Sequence, residues 1–520
     1  MNKAIRKVVI VGGGTAGWIT ACVIAAEQRN AGERRPSITL IESPDIPIIG
    51  VGEGTWPSMR LTLQKIGLPE ADLIRECGAS FKQGTQFVAW AENDELQRYV
   101  HPFSFPVEYS NLNLARFWLD NRDKAAFAEL VTPQAHIVAA GLAPKQVTTP
   151  EYAFNVNYGY HFDAGRFAQL LHRHGVEKLD INFVSANVAS IDGEADGDIT
   201  GVRLDTGETV NVDLFVVCTG QKGLLIGEHY GVGFESVQDV LFNNAAIAVQ
   251  VPYGAPDAPI ASMTTSTATD AGWIWDIGLQ ERRGIGHVFS NVHTSVDDAM
   301  QTVRNYVQRT TPGVNVDDLT FRHIPFKPGY RRELWVNNCV AVGLSAGFVE
   351  PLEASALALI EQAAGIIGQQ LPVNRDIMPV VARRFNHRMS YHWERLIEFL
   401  KLHYVLSRRT DSQYWSDCRD PDSCPPGLRD KLAVWEQQPP WHDDSPRVDE
   451  LFPSASYQYI LYGMGFVPSH PFSPGVNPEL DRTRAEELVR SNFAKTQRML
   501  NLLPTNRELI DAVISQSEEA

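Results

Sequence analysis

The chain has 520 residues, 44% of them hydrophobic and 21% charged, which is typical of a soluble globular protein with roughly two or three domain-sized units. Its 46 basic and 62 acidic residues give a formal net charge of −16, which argues against a general nucleic-acid-binding surface. The sequence has neither an apolar run of about 18 residues nor a signal peptide, so we expect a cytoplasmic protein that does not enter a membrane. Only Cys418 and Cys424 lie close together, without further metal-ligand partners, so no metal site is expected.

The first predicted elements are an apolar strand at residues 7–11, a helix from Trp18 to Gln28 and a strand at 37–41 that ends at Glu42. Residues 60–150 are predicted to be mostly helix and loop.

The later elements are predicted from alternation, turn residues and helical spacing. They are β-hairpins over 181–217 with a turn at 205–207, antiparallel strands over 240–295, a strand, turn and helix over 331–348, and helices after about 375. Together the elements predict a mixed α/β fold. We expect a core over 1–375 that contains an interleaved β substrate region, and a mostly helical part over 376–520 that covers the substrate.

A dinucleotide-binding pattern lies directly after the first strand. Gly12, Gly14 and Gly17 form GxGxxG, with Thr15 and Ala16 opening the helix between the last two glycines. Such glycines allow a tight turn, a close approach of the backbone to a pyrophosphate and close packing of helix on strand. Glu42 ends the second strand, where an acid accepts hydrogen bonds from a ribose hydroxyl, although the spacing exceeds the usual ~20 residues.

A second segment favours FAD over NAD. DLFVVCTG (213–220) is an apolar strand that ends at Thr219 and Gly220. The chain has a single GxGxxG fingerprint, at its N-terminus. In FAD enzymes of the aromatic hydroxylase and glutathione reductase type, such a strand returns beside the first one and its end covers the flavin. We therefore expect an FAD-binding Rossmann-like domain of that type.

Four further segments resemble one enzyme family. GVGEGT (50–55), FKQGTQF (81–87), GWIWDIGL (272–279) and GLSAGFVEPLEASAL (343–357) follow GGGTAGW (12–18) in the order found in flavin-dependent halogenases of the tryptophan halogenase family. The resemblance implies that reduced FAD and dioxygen oxidise chloride or bromide to hypohalous acid, which then halogenates an electron-rich arene such as indole. It also implies cofactor contacts at Gly50, Gly343 and Gly347.

Lys82 and Glu353 are the catalytic candidates. Lys82 lies in an otherwise apolar and small-residue stretch that we interpret as helical, where a lysine is costly unless its amine is used or paired. By resemblance, that amine holds hypohalous acid or becomes a haloamine. Glu353 would orient the acid with Lys82 and take up the proton that the ring loses. Glu350, three residues earlier, is the competing glutamate, which we interpret as structural.

Two tryptophans are expected to separate flavin from substrate. Trp273 and Trp275 share one face of a predicted strand, so they could equally be core residues. By resemblance they form a wall that keeps the arene away from the flavin, which halogenation requires. In a hydroxylase, by contrast, the substrate must reach the flavin. The family usually has proline where this chain has Gly278, which weakens the match slightly.

The halide site departs from the family pattern. Ser-Thr-Gly commonly follows the catalytic glutamate, whereas this chain has Ala354, Ser355 and Ala356. Backbone donors survive such changes, so a halide site is expected at Ser355 and Ala356, and a preference for bromide is a hypothesis.

On the substrate side, His101 and Phe103 lie in a predicted aromatic-rich loop and resemble the pair that sandwiches indole, although the loop could equally be packed over the core. Tyr457 lies in SASYQYILYGMGF (454–466), a segment that lacks the acid and tryptophan expected for an amino-acid substrate. We therefore predict a free indole or similar small arene over tryptophan.

Two other functions remain open: an FAD-dependent aromatic monooxygenase and a non-catalytic flavin-binding protein. No attached reductase is recognisable, so reduced FAD is expected from a separate flavin reductase. The expected partners are a small aromatic substrate and that reductase, with the chain a monomer or homodimer.

Overall fold

The computed structural model describes residues 4–46, 52–468 and 478–516. The chain divides into two compact units, each assembled from three stretches of sequence. The first comprises Met1–Gly78, Phe162–Val237 and Lys327–Glu394. The second comprises Ala79–His161, Gln238–Phe326 and Arg395–Ala520. The expected boundary near residue 375 stays a prediction.

The first unit is built on a six-stranded sheet. Its strands, in spatial order, are Trp335–Val336, Cys339–Ala341, Leu214–Val217, Lys7–Val11, Ser37–Glu42 and Asn182–Ser185. All neighbours are parallel except the first pair. Val8 to Val11 are buried, as a parallel strand covered on both faces requires. The predicted first strand, and the return of the 213–220 segment beside it, are both confirmed.

Smaller sheets and helices complete this unit. One three-stranded sheet contains Val188–Asp192, Gly201–Leu204 and Thr209–Asn211, and another contains Phe234–Ser236, Gly329–Arg331 and Gly347–Phe348. The helices are Thr15–Glu27, Ser58–Ile66, Glu70–Glu76, Ala164–Lys178, Leu224–His229 (a π-helix) and Ser355–Gln369. The helix Met378–Val405 begins in this unit and ends in the second.

The second unit is built on a seven-stranded sheet. Its strands, in spatial order, are Phe321–Pro325, Ala245–Pro252, Arg282–Phe289, Gly272–Gly278, Thr264–Thr269, Gly84–Val88 and Arg98–Pro102. All neighbours are antiparallel except Thr264–Thr269 with Gly84–Val88. The antiparallel strands predicted over 240–295 are therefore confirmed.

Most of the other regular elements of the second unit are helices. They are Ala115–Leu119, Phe127–Val131, Gln134–Ala139, Val296–Thr310, Gln413–Cys418, Pro426–Trp435, Ser454–Gly463, Pro478–Leu502 and Asn506–Ser515. The prediction of a helical pattern after residue 375 is confirmed for the described residues.

Four local predictions are wrong. Of the β-hairpins predicted over 181–217, only the antiparallel strands between Val188 and Asn211 are found, whereas Asn182–Ser185 and Leu214–Val217 pair in parallel within the six-stranded sheet. Residues 60–150 contain three strands, Ser80–Lys82, Gly84–Val88 and Arg98–Pro102, so Lys82 is in a strand instead of a helix and His101 is in a strand instead of a loop. Ser80–Lys82 pairs with Gly159–Phe162, and this long-range pairing decides its conformation. Residues 343–348 form a 3₁₀ turn and a short strand, and the helix begins only at Ser355.

Candidate active site

The glycine turn has the shape that a bound pyrophosphate requires. At Gly12, φ is +114° and a Cβ would lie 2.2 Å from the carbonyl oxygen of Cys218. A Cβ on Gly17 would lie 1.9 Å from the carbonyl oxygen of Gly12, so strand and helix pack closely here. Gly14 faces open space and caps the Thr15–Glu27 helix without a side-chain hydrogen bond. The turn therefore leaves backbone N–H groups and the positive end of the helix dipole available to bind an anion.

Glu42 lies beside this turn, as expected for a ribose-binding acid. A Cβ on Gly13 would lie 2.1 Å from Oε2 of Glu42. Burial raises the pKa of Glu42, and a hydrogen bond from Trp18 acts in the opposite direction. The Trp18 ring is stacked on His172 at a centroid distance of 4.7 Å.

The other predicted cofactor residues differ in their surroundings. Gly220 has a φ of +68° with open space at its Cβ position, and Thr219 accepts a hydrogen bond from the Leu224 amide. A Cβ on Gly343 would lie 2.7 Å from that of Ala16, next to the glycine turn. At Gly347, a Cβ would clash with a neighbouring strand, so this glycine serves strand packing. Gly50 lies outside the described residues.

Lys82 is buried in the second unit. Its side chain is 1% exposed, and its Nζ lies 5.4 Å from the ring centroid of Phe103. Within its strand pair Lys82 is opposite Gly159, which leaves room on the face that it shares with Ser80. The structure thus brings together the predicted catalytic lysine and one predicted substrate residue.

His161 is a neighbour of Lys82 that sequence reasoning missed. It pairs with Ser80, so it lies on the same face as Lys82, and its Nε2 is 2.8 Å from Oγ1 of Thr264. Burial lowers the pKa of His161 well below its usual value, and the charge of Lys82 adds to this effect. The imidazole is therefore neutral at physiological pH. Beyond the presence of a histidine, the segment GYHF (159–162) gave no sign that this side chain lies beside Lys82.

Trp273 and Trp275 are packed by glycine and aromatic neighbours. Both point to one face of the strand Gly272–Gly278, and their rings make an edge-on contact at 6.4 Å between centroids. Trp273 is 1% and Trp275 9% exposed. A Cβ on Gly286 of the next strand would lie 2.0 Å from the ring of Trp275, so only glycine leaves room for this indole.

Glu353 occupies an unusual turn in the first unit. Glu353 and Ala354 have φ values of 64° and 55°, the left-handed region that residues with a Cβ rarely adopt. Such conformations cost about 1–3 kcal/mol each and concentrate at functional sites. Trp56, which sequence reasoning also missed, donates a hydrogen bond of 2.7 Å from Nε1 to the carbonyl oxygen of Glu353.

The helix that follows this turn opens with free backbone donors. Ala354 is the N-cap of Ser355–Gln369 and makes no side-chain cap hydrogen bond. Ser355 is buried, whereas Ala356 is exposed. The N–H groups of a first helical turn and the helix dipole together favour an anion.

The substrate candidates His101 and Tyr457 are linked to the helix Ser454–Gly463. The Nε2 of His101 lies 3.0 Å from Oγ of Ser456, and its ring lies 5.9 Å from that of Tyr459. Tyr457 is 2% exposed and packs against Phe399 and Trp435, as a core residue does.

This helix, SASYQYILYG, contains no charged residue. Four of its polar side chains hydrogen-bond to protein groups: Ser454 to Tyr109, Ser456 to His101, Gln458 to Asn113 and Tyr459 to the carbonyl of Ser104. The buried hydroxyl of Tyr462 has no hydrogen-bond partner among the described residues.

Within the described ranges, no group of three or more His, Cys, Asp or Glu side chains is arranged to hold a metal ion. None of the helices in the described part of the chain is long and apolar enough to cross a membrane.

Comparisons with known proteins identify relatives along the whole chain. The tryptophan halogenase family matches residues 7–477. A crystal structure of a tryptophan halogenase from Shewanella frigidimarina is 46% identical, with a TM-score of 0.94 and 98% of each chain covered. BrvH, a flavin-dependent halogenase from Brevundimonas sp. BAL3, is 34% identical, with a TM-score of 0.83 and coverage of 98% of this chain and 99% of that chain.

Curated relatives agree with these structures. Tryptophan 7-halogenase RebH from Lentzea aerocolonigenes is 30% identical over 547 residues, covering 98% of this chain and 99% of its own length. The family match over residues 7–477, together with an open glycine turn that fits a dinucleotide, leads to one conclusion. The chain belongs to the tryptophan halogenase family, whose members are flavin-dependent enzymes.

Proposed function

We propose that this enzyme halogenates an uncharged, electron-rich arene of the indole type, with Lys82 as the residue that carries the halogen. The observation that supports this proposal most directly is a lysine that is 1% exposed and lies 5.4 Å from the Phe103 ring in the second unit. Burial of a lysine is costly, so it is retained where its amine is used.

The cofactor residues fit FAD. Gly12 to Gly17 and the helix N-terminus would hold the pyrophosphate, and Glu42 would accept from a ribose hydroxyl. Reduced FAD would come from a separate flavin reductase. When bound, it would supply, together with dioxygen, the two-electron oxidation of chloride or bromide to hypohalous acid. The first-turn N–H groups at Ser355 and Ala356 would hold the halide.

The protein groups then control transfer of the halogen. Lys82 holds the hypohalous acid or forms an N–X bond with loss of water. The arene carbon attacks X and a C–X bond forms while the N–X or O–X bond breaks. The electron pair of that bond stays on the Lys82 nitrogen or leaves with hydroxide. The Glu353 carboxylate takes up the ring proton, a general-base step that contributes typically 10²–10⁴-fold. Trp273 and Trp275 would keep the arene away from the flavin.

The preference for an uncharged arene rests on the helix Ser454–Gly463. It carries no charge, and its hydrogen-bonding side chains engage protein groups such as Tyr109 and His101. A zwitterionic amino acid would need charged partners when it leaves water. His101 and Phe103 supply aromatic surface for a flat ring instead.

A lysine substitution tests the proposed role. Lys82→Met keeps the length and removes the amine, and we expect haloarene formation to fall at least about 100-fold while reduced flavin is still oxidised. Lys145→Met is the matched control, because Lys145 is 3% exposed and its Nζ contacts Tyr158 at 3.2 Å. Haloarene would be measured by mass spectrometry with reduced FAD, dioxygen and bromide.

The outcomes separate the candidate functions. A monooxygenase would give hydroxylated product that depends little on Lys82, and a binding protein would give no turnover in any variant. Halogenated product that persists at the wild-type rate in Lys82→Met would contradict the assignment.

A substrate panel tests the arene class. Indole and tryptophan would be incubated separately with equal chloride and bromide, and we expect indole to be halogenated faster. Halogenation of tryptophan alone would contradict the proposed preference. The ratio of brominated to chlorinated product would decide whether the replacement of the family's glycine by Ala356 favours bromide.

A further inference from the structure

The turn at Glu353 and Ala354 is a backbone conformation that its own residues do not favour. Two consecutive residues with a Cβ adopt φ values of 64° and 55°, and the helix Ser355–Gln369 starts immediately afterwards. A left-handed pair of this kind persists only where surrounding contacts hold it. The direction of the Glu353 carboxylate and of the first helical N–H groups therefore depends on those contacts.

The hydrogen bonds to this turn include one local and one long-range contact. The amide of Ala354 donates to the carbonyl of Pro351 at 3.0 Å, which is a local contact. The second is the bond from Trp56 Nε1 to the carbonyl of Glu353, which joins residues 297 positions apart. That carbonyl lies between the two left-handed residues, so a return of either residue to its preferred φ would turn the carbonyl away from the indole.

The segment that carries Trp56 is itself fixed to the same helix. Ser58 and Thr62, in the helix directly after Trp56, donate hydrogen bonds of 2.9 and 2.5 Å to the carboxyl of Glu361. Glu361 lies in the helix Ser355–Gln369, about two turns after its start. These bonds therefore fix the segment that carries the indole of Trp56 relative to the helix Ser355–Gln369, and so relative to the turn at its start.

We propose that Trp56 is a positioning residue that holds the strained turn, and through it sets the direction of the Glu353 carboxylate and of the N–H groups at Ser355 and Ala356. The inference rests on the proposed function, which gives those groups their roles as proton acceptor and halide site. It predicts that Trp56 acts on proton removal and on halide affinity without touching substrate.

A double substitution tests the inference. Trp56→Phe removes the N–H donor and keeps an aromatic ring, and we expect kcat for haloarene formation to fall about tenfold, with a rise in KM for halide. Glycine adopts the left-handed region without penalty. In the Ala354→Gly background, the same Trp56→Phe substitution is therefore expected to cost less than about twofold. Loss of equal size in both backgrounds would overturn the inference.

Hydrogen exchange of the peptide 349–360 supplies a readout that does not depend on turnover. We expect faster exchange of its amides in Trp56→Phe, and slower exchange again when Ala354→Gly is added. Unchanged exchange in Trp56→Phe would also overturn the inference. If the wild type forms no haloarene, the proposed function fails while exchange still decides the role of Trp56. If Trp56→Phe alone does not fold, the double variant is compared with Ala354→Gly alone. A cost of less than about twofold would support the role of Trp56, and a larger cost would overturn it.

Discussion

Glu350 and Glu353 are both buried, at 1% and 5% exposed, and differ in backbone conformation. Glu353 has a φ of 64°, whereas Glu350 has no left-handed φ. A strained backbone at one of two otherwise similar acids favours that one as the functional residue. We expect Glu353→Gln to lower kcat for haloarene formation by about 100-fold, because the amide cannot accept the ring proton.

Glu350→Gln is the matched variant for this prediction. It changes a carboxylate of similar burial three residues away, and we expect its effect on kcat to stay within about threefold. Both variants would be assayed at saturating halide, with oxidation of reduced flavin followed in parallel. A larger loss in Glu350→Gln than in Glu353→Gln would exchange the two assignments.

At the scale of single elements, the proposed wall of Trp273 and Trp275 would depend on the fit between two strands. A methyl group on Gly286 would lie 2.0 Å from the Trp275 ring, so Gly286→Ala forces the indole to move. We expect the yield of haloarene per flavin oxidised to fall about tenfold, because a displaced wall loosens control over the oxidised halogen.

Gly254→Ala is the control for Gly286→Ala, since open space surrounds that glycine in the same unit. A yield in Gly286→Ala equal to that in Gly254→Ala would show that Trp275 belongs only to the core.

The helix pair of Ser58–Ile66 and Ser355–Gln369 contains a buried acid. Burial raises the pKa of Glu361 to about 7, although Ser58 and Thr62 donate hydrogen bonds to it. The folded protein thus holds the proton more tightly than the unfolded chain. This contribution to stability is fully present below the unfolded pKa of 4.5 and is lost as pH rises through 7. The loss amounts to about 3 kcal/mol over that window.

Glu361→Gln removes this titration and keeps a side chain of the same shape. We expect the variant to lose less stability than the wild type between pH 5.5 and pH 8, by about 2 kcal/mol in urea unfolding. Parallel pH profiles for the two proteins would contradict a raised pKa at Glu361.

Local patterns predicted some elements and failed at others for a physical reason. The first strand, the glycine turn and the position of Glu42 follow from apolar runs and glycines close in sequence, and all three are found. The strand conformation of Lys82 depends on pairing with Gly159, 77 positions later, so the helical interpretation of its local sequence is wrong.

For the whole molecule, the limit of sequence reasoning is long-range contact. The order of the motifs predicted the family and the type of fold, and the comparisons confirm both. The division into two units, each built from three separate stretches, is not encoded in any local pattern. The same holds for Trp56, because a hydrogen bond to Glu353 across 297 positions leaves no mark on either segment.

The two units should respond to pH in opposite directions. In the second unit, burial lowers the pKa of His287 to about 4, although its Nδ1 donates to the carbonyl of Ala299. Because the unfolded chain binds this proton more tightly, stability is lost as pH falls below 6.5, by about 1.4 kcal/mol at pH 5.5. In the first unit, Glu361 makes stability fall as pH rises.

Urea unfolding at pH 5.5, 6.5 and 8, followed by a hydrogen-exchange pulse at one fixed pH, reads the units separately. We expect peptides of the second unit to lose protection at lower urea at pH 5.5, and peptides of the first unit at pH 8. His287→Gln should flatten the acid side of the second unit's profile, whereas His323→Gln, at an exposed position of the same unit, should leave that profile as it is. Equal shifts of both units in the same direction at every pH would show that neither buried group controls the stability of its unit.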